Sequence, residues 1–148
     1  MAHYVTFKRI YQRIWLLASN LPMSGHGIRP WFVKMGGVNV KDPKHTFIGT
    51  GIGWDTVHPE KIIIESGVRI TARTSILTHF INPANGNYTS GEVHIKNGAF
   101  IGTGTIITKP VTIGEHSIVG AGSIVTHDIP DDEVWAGNPA RFIRKRHK

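Results

Sequence analysis

From Ile95 to Pro130 the chain reads IKNGAF, IGTGTI, ITKPVT, IGEHSI, VGAGSI and VTHDIP, so Ile or Val opens every unit at Ile95, Ile101, Ile107, Ile113, Val119 and Val125. The same phase runs earlier through Ile64, Ile70 and Ile76, and through Ile48 in IGTGIG. A helix spaces its apolar residues by three and four and an amphipathic strand by two, so neither produces a period of six. Repetition at a fixed period marks a repeat architecture. Each hexapeptide reads as one short side of a three-sided coil, with about 18 residues to a turn. The opening Ile or Val points into a narrow interior. Small residues such as Gly102, Gly104, Gly114, Gly120, Ala121 and Gly122 suit the corners, where the backbone turns sharply or is closely approached. Successive coils would then pair as parallel strands about 4.8 Å apart.

The pattern also marks where the coil stops. Residues 64–79 supply nearly one turn, residues 95–130 supply two, and the weaker stretch 36–63 supplies one or two more. Between them, residues 80–94 break the repeat with Pro, Asn and Gly and read as an extruded loop. Residues 4–18 read as a helix, with Phe7, Ile10, Tyr11, Ile14, Trp15 and Leu17 apolar and Lys8, Arg9 and Arg13 interspersed. The organisation expected is a helical lead-in over 1–35, a coil domain over 36–137 and a basic tail over 138–148.

Composition narrows the chemistry. The 148 residues contain no cysteine, which removes thiolate catalysis, disulfides and cysteine-ligated zinc. No stretch reaches the length of a membrane span. The net charge of +7 is unevenly placed. Seven Lys or Arg against Asp42 alone lie within residues 1–45, five and no acid lie within 138–148, and the body between them is acidic. Basic ends on an acidic body suit a polyanionic small molecule bound at one end as well as they suit nucleic acid. No interleaving of aromatic and basic residues supports nucleic acid.

The repeats, together with "VGAGSIVTHDIPDDEVWAGNPARFIRK" and "THFINP", resemble the hexapeptide-repeat acyltransferases, above all the maltose, galactoside and polysaccharide O-acetyltransferases. "FKRIYQRIWLLASNLP", "RPWFVKMGGVNV" and "WDTVHPEKIII" are similar to the small acetyltransferases of capsule and lipopolysaccharide gene clusters. The resemblance implies an all-β fold, a left-handed parallel β-helix of about four to five coils with a short N-terminal helix and an extruded loop. It implies acetyl-CoA as acyl donor, no metal, and a sugar or polysaccharide-precursor acceptor. It also implies a homotrimer with active sites between subunits, in the cytoplasm, with residues 4–18 either capping the coil, packing on a neighbouring subunit or touching the inner membrane surface. Two other readings use the same repeats. One is an aminosugar N-acetyltransferase, and the other is a γ-class carbonic anhydrase-like zinc enzyme with His79, His94 and His116 as ligands.

His79 stands where a coil ends and the extruded loop begins, in the segment that resembles the one carrying the family's catalytic histidine. A hydroxyl is a weak nucleophile until its proton is taken, and imidazole is the side chain suited to that at neutral pH. Such a base needs a partner on its other nitrogen to fix its tautomer. Asp55, Asn82 and Glu92 are the candidates, and with Phe100 they form the expected acceptor side. By resemblance, Thr103 and Ala121 contact coenzyme A through backbone or small side chains, Thr126 and His127 lie near its pyrophosphate, and Arg141 and Arg144 hold phosphate. Arginine suits that task through its planar donor fork. His127 stands where the family usually has lysine, and Phe100 where it often has tryptophan.

Overall fold

In this computed structural model, residues 7–21 and 27–147 are described. Helix α1 (Phe7–Ala18) and helix α2 (Arg29–Met35) precede the strands. Three sheets follow, and until the closing strands the chain visits them in rotation. The first sheet holds β1 (Asn39–Val40), β4 (Ile62–Ile64), β9 (Val93–Ile95) and β12 (Thr112–Ile113). The second holds β2 (Phe47–Ile48), β5 (Arg69–Ile70), β10 (Phe100–Ile101), β13 (Ile118–Val119), β15 (Glu133–Ala136) and β16 (Arg141–Lys145). The third holds β3 (Gly53–Trp54), β6 (Ser75–Ile76), β11 (Ile106–Ile107) and β14 (Ile124–Val125). All pairs within these sheets are parallel except the closing pair β15–β16. The fold is mostly β with two helices, so the all-β expectation needs correcting for α2, whose seven residues are too few to show a helical period.

The repeat's opening residues meet in register. Ile48, Ile70, Ile101 and Val119 follow one another across the second sheet, and Trp54, Ile76, Ile107 and Val125 across the third. Their branched side chains form the core, with Ile48, Ile64, Ile70, Ile76, Ile95, Ile101, Ile107 and Ile113 fully buried. Removing each such side chain from water stabilises the fold by about 1.5–3 kcal/mol. The period of six therefore records one large branched side chain at a fixed place on each side of the coil, with a second buried residue two positions before it, such as Val68, Ala99, Thr105 or Ser117.

The corners differ from one another. Turns from the first sheet to the second pass through Gly67, Gly98, His116 and Asp132, and turns from the second to the third through Gly51, Arg73, Gly104 and Gly122, all at left-handed φ between 54° and 71°. At Gly102 a side chain would collide with the backbone of Ala121 in the next coil, so close stacking as well as φ keeps that corner small. Turns from the third sheet back to the first carry no left-handed residue among those described, apart from Gly86 in the long connection after Ile76. Apart from a 3₁₀ turn over Pro43–His45 between β1 and β2, the insertions gather at this third corner. They are a short 3₁₀ turn over Pro59–Lys61 and the antiparallel hairpin of β7 (His79–Ile81) and β8 (Tyr88–Ser90). The extruded loop is thus a paired hairpin, and its last expected residues, Val93 and His94, already belong to the first sheet.

The helices close the N-terminal end of the stack. Leu16 joins the core, Trp15 packs on Phe32 with ring centroids 5.1 Å apart, and Asn20 exchanges side-chain hydrogen bonds with the backbone of Ile52. Buried Arg29 donates to the carbonyls of Ser19 and Ile48. The helix expected over residues 4–18 is described from Phe7 onward, and residues 4–6 lie outside the described residues. On α1 the surface opposite the packed one exposes Phe7, Ile10, Tyr11, Ile14 and Leu17.

Candidate active site

His79 is the first residue of the hairpin, just past β6 at the third corner. The preceding coil supplies Asp55 directly after β3. Asp55 is 3% exposed, and its Oδ2 lies 2.7 Å from His79 Nδ1. The same oxygen accepts from the Thr78 backbone N–H at 2.9 Å and from the Thr78 hydroxyl at 2.6 Å. The Val57 N–H donates to Oδ1 at 2.8 Å and the His58 N–H at 3.3 Å. Burial alone would raise the carboxyl pKa, but the bonds from Thr78, Val57 and His79 outweigh it and hold Asp55 well below the usual carboxylate range.

That charge state fixes the imidazole. An ionised carboxylate only accepts, so the proton between the two groups belongs to His79 Nδ1, and in the neutral ring Nε2 carries a lone pair. The His79 side chain is 28% exposed, and its ring stacks on Tyr88 at 5.5 Å between centroids and 26° between planes. The imidazole is therefore held on two sides, by a buried anion and by an aromatic face. A neutral His oriented in this way can take a proton through Nε2.

Of the three candidate partners, Asp55 makes the contact. Asn82 shapes the hairpin tip, where its Oδ1 accepts from the Ala84 N–H at 2.9 Å. Glu92 is exposed beyond β8 and makes no hydrogen bond or ion pair among the described residues. Phe100 sits on the outer face of the second sheet, 37% exposed and away from this corner. Thr78 and Tyr88 were not anticipated. Thr78 could have been suspected as the neighbour of His79, whereas Tyr88 reaches it only because the hairpin folds back.

The remaining residues fall into separate columns. Thr103 and Ala121 stack at the second corner in adjacent coils, where the Gly122 N–H donates to the Thr103 carbonyl at 2.8 Å. Thr103 donates to the Thr71 hydroxyl at 3.1 Å in the coil before, and Thr71 donates to the Ile101 carbonyl at 2.7 Å. Thr126 and His127 share the third corner with His79, two coils on, and contact each other at 2.9 Å. Arg141 and Arg144 are exposed on β16, with guanidinium bonds to the carbonyls of Ala140 and Lys145 respectively. The segment read as a basic tail thus forms an edge strand.

No group of three or more His, Cys, Asp or Glu able to hold a metal ion occurs among the described residues. His94 Nε2 lies 2.7 Å from Glu65 Oε1 on the first sheet, and His116 occupies a left-handed corner.

Residues 92–127 match the family model described as bacterial transferase hexapeptide (six repeats). The chain belongs to the hexapeptide-repeat transferase family. It is 38% identical over 86 residues to the galactoside O-acetyltransferase of Escherichia coli, covering 58% of this chain and 42% of that protein. It is 33% identical over 125 residues to the galactoside O-acetyltransferase of Lactococcus lactis, covering 78% of this chain and 58% of that one. The chain thus spans about half the length of these curated relatives. Among solved structures it resembles a galactoside acetyltransferase in complex with coenzyme A, with a TM-score of 0.68 at 23% identity, covering 99% of this chain and 84% of the other.

Proposed function

We propose that this protein is an acetyl-CoA-dependent O-acetyltransferase acting on a sugar hydroxyl, with His79 as general base and the fold wound as a left-handed β-helix. The observation that carries the reading is the 2.7 Å bond from His79 Nδ1 to buried Asp55, which leaves Nε2 available. As the hydroxyl oxygen attacks the thioester carbonyl, Nε2 takes its proton. The tetrahedral intermediate then collapses, the C–S bond breaks, and the proton passes to the departing thiolate to give coenzyme A and the acetyl ester. Asp55 acts through His79 by holding its tautomer and stabilising the imidazolium formed during attack.

The donor reading rests on the second-corner column. Thr71, Thr103 and Ala121 form a line of small residues rising toward β16, whose Arg141 and Arg144 are suited to phosphate. The His79 corner lies across the third sheet from that column. Assembly as a homotrimer, with the His79 corner of one copy facing the donor column of the next, would complete the site. A surface-polysaccharide building block in the cytoplasm is the proposed acceptor class. A peripheral contact of residues 4–18 with the inner membrane surface is favoured by one observation, the exposed apolar face of α1 flanked by Lys8, Arg9 and Arg13.

The test is release of free thiol from acetyl-CoA in the presence of a panel of sugars, with the ester identified by mass spectrometry. Sugar-dependent release with one acetyl added per event supports the proposal. Coenzyme A binding without transfer to any hydroxyl, alongside transfer to an amino sugar, would replace it with N-acetylation.

A further inference from the structure

Two adjoining hollows run along the outer face of the second sheet. One, of about 490 Å³, is walled by Lys44, His45, Phe47, Arg69, Thr71 and Phe100. The other, of about 440 Å³, shares Arg69 and Phe100 and continues to His116, Ile118 and Arg146. The parallel register sets Phe47, Arg69 and Phe100 side by side on one rung across β2, β5 and β10. Adjacent strands lie about 4.8 Å apart, so the guanidinium emerges between two aromatic rings.

The electrostatics of this face are one-sided. His45 Nδ1 is engaged by Asp42 at 2.7 Å, and Asp42 also accepts from the Ser66 hydroxyl at 2.8 Å. Among the described residues no hydrogen bond or ion pair engages the side chain of Lys44 or of Arg69, and both residues are exposed. No carboxylate lines either hollow among the described residues. A guanidinium with an aromatic residue on each side, and a second uncommitted cation in the same lining, match a flat, partly apolar molecule bearing a negative charge. Thr71 ties this hollow to the donor column through its hydrogen bond with Thr103, at the end of that column farthest from Arg141 and Arg144. If the phosphates lie at β16, the acyl end of the donor points here.

We infer that the hollow around Arg69 is the acceptor subsite and takes a sugar carrying an anionic group, carboxylate or phosphate. Arg69 and Lys44 hold the charge, and Phe47 or Phe100 covers a face of the ring. This rests on the acetyltransfer reading and adds the class of acceptor to it.

The experiment compares galactose, galacturonate and galactose 6-phosphate as acceptors for the wild type, Arg69→Gln and Lys44→Gln, with acetyl-CoA saturating. Binding of the same three sugars to His79→Asn is measured by calorimetry. The expected result is a kcat/KM for at least one anionic sugar about 10- to 100-fold above that for galactose. That preference should fall to within a few-fold in Arg69→Gln while the KM for acetyl-CoA stays unchanged. Preference for galacturonate alone identifies a carboxylate, and preference for the phosphate alone identifies a phosphoryl group. Galactose used as well as both anions, or a preference that survives both substitutions, overturns the inference. A raised acetyl-CoA KM in Arg69→Gln with unchanged acceptor preference also overturns it, because the hollow would then belong to the donor. If no sugar is acetylated, the acetyltransfer reading fails by itself, and calorimetry still decides here. Tighter binding of an anionic sugar that is lost on Arg69→Gln in the His79→Asn background upholds the subsite, and absence of such binding overturns it.

Discussion

Asp55 Oδ2 lies 2.7 Å from His79 Nδ1, although the two residues belong to successive coils and stand twenty-four positions apart in sequence. The contact exists because the third corner repeats at the same height on the prism. The residue after β3 in one coil therefore comes beside the hairpin start that follows β6 in the next. Thr78, Val57 and His58 supply four further hydrogen bonds to the same carboxylate, so the anion is fixed before any substrate arrives.

Asp55→Asn keeps the size of the side chain and removes its charge. The amide no longer requires a proton on Nδ1, so Nε2 is no longer held as the acceptor. The expected outcome is a loss in kcat of about 10²-fold or more, with the KM for acetyl-CoA within a few-fold of wild type. Steady-state kinetics of thiol release check this.

The lowered pKa of Asp55 makes a prediction about acid stability. A carboxyl that is more acidic folded than unfolded binds fewer protons in the native state. Its contribution is therefore present above the unfolded value, about 3.9, and is lost as pH falls below that toward the folded value. Wild-type stability should fall below about pH 4 more steeply than that of Asp55→Asn, which has no such group to protonate. At pH 7 Asp55→Asn should be less stable by about 1–3 kcal/mol, because it leaves buried donors poorly paired. Urea unfolding followed at several pH values gives both comparisons.

How much of this could be read in advance depended on whether a feature repeats. The repeat-opening interior positions were legible because a buried Ile or Val recurs on every coil side, and Ile95 through Val125 keep that rhythm without a break. Helix α2 was not, since RPWFVKM is about two turns and shows no helical period. The β16 strand hid inside a basic run, RFIRK, whose pairing with β15 depends on a reversal that no repeat announces. At the site, His79 was marked by its position at a break in the pattern. Its partner was not marked, because Asp55, Asn82 and Glu92 are all polar residues in irregular segments. Only the stacking of coils selects Asp55.

The core and the corners should respond differently to substitution. Ile101→Ala removes a fully buried side chain and is expected to cost about 2–5 kcal/mol. Gly102→Ala adds one carbon where the Ala121 backbone of the next coil already stands, so it should also destabilise and shift that corner. If Thr103 and Ala121 line the donor, Gly102→Ala will raise the KM for acetyl-CoA, whereas Ile101→Ala will not at temperatures where it stays folded. Thermal unfolding and donor kinetics on the same preparations separate the two effects.

Arg141→Ala tests the far end of the donor column. A remote phosphate contact is made equally in the ground and transition states, so its loss should raise the KM for acetyl-CoA roughly 10- to 100-fold. The turnover at saturation should remain within a few-fold. An unchanged KM would detach β16 from the donor site.

The central claim is that His79 removes the proton from the acceptor hydroxyl, and the most direct measurement is the turnover of His79→Asn with saturating acetyl-CoA and an acceptor the wild type acetylates. Asparagine is polar and near in size but cannot act as a base. The expected loss in kcat is roughly 10²- to 10⁴-fold with coenzyme A affinity unchanged. A variant that binds coenzyme A normally and keeps more than about a tenth of wild-type turnover, well outside that range, would contradict the account.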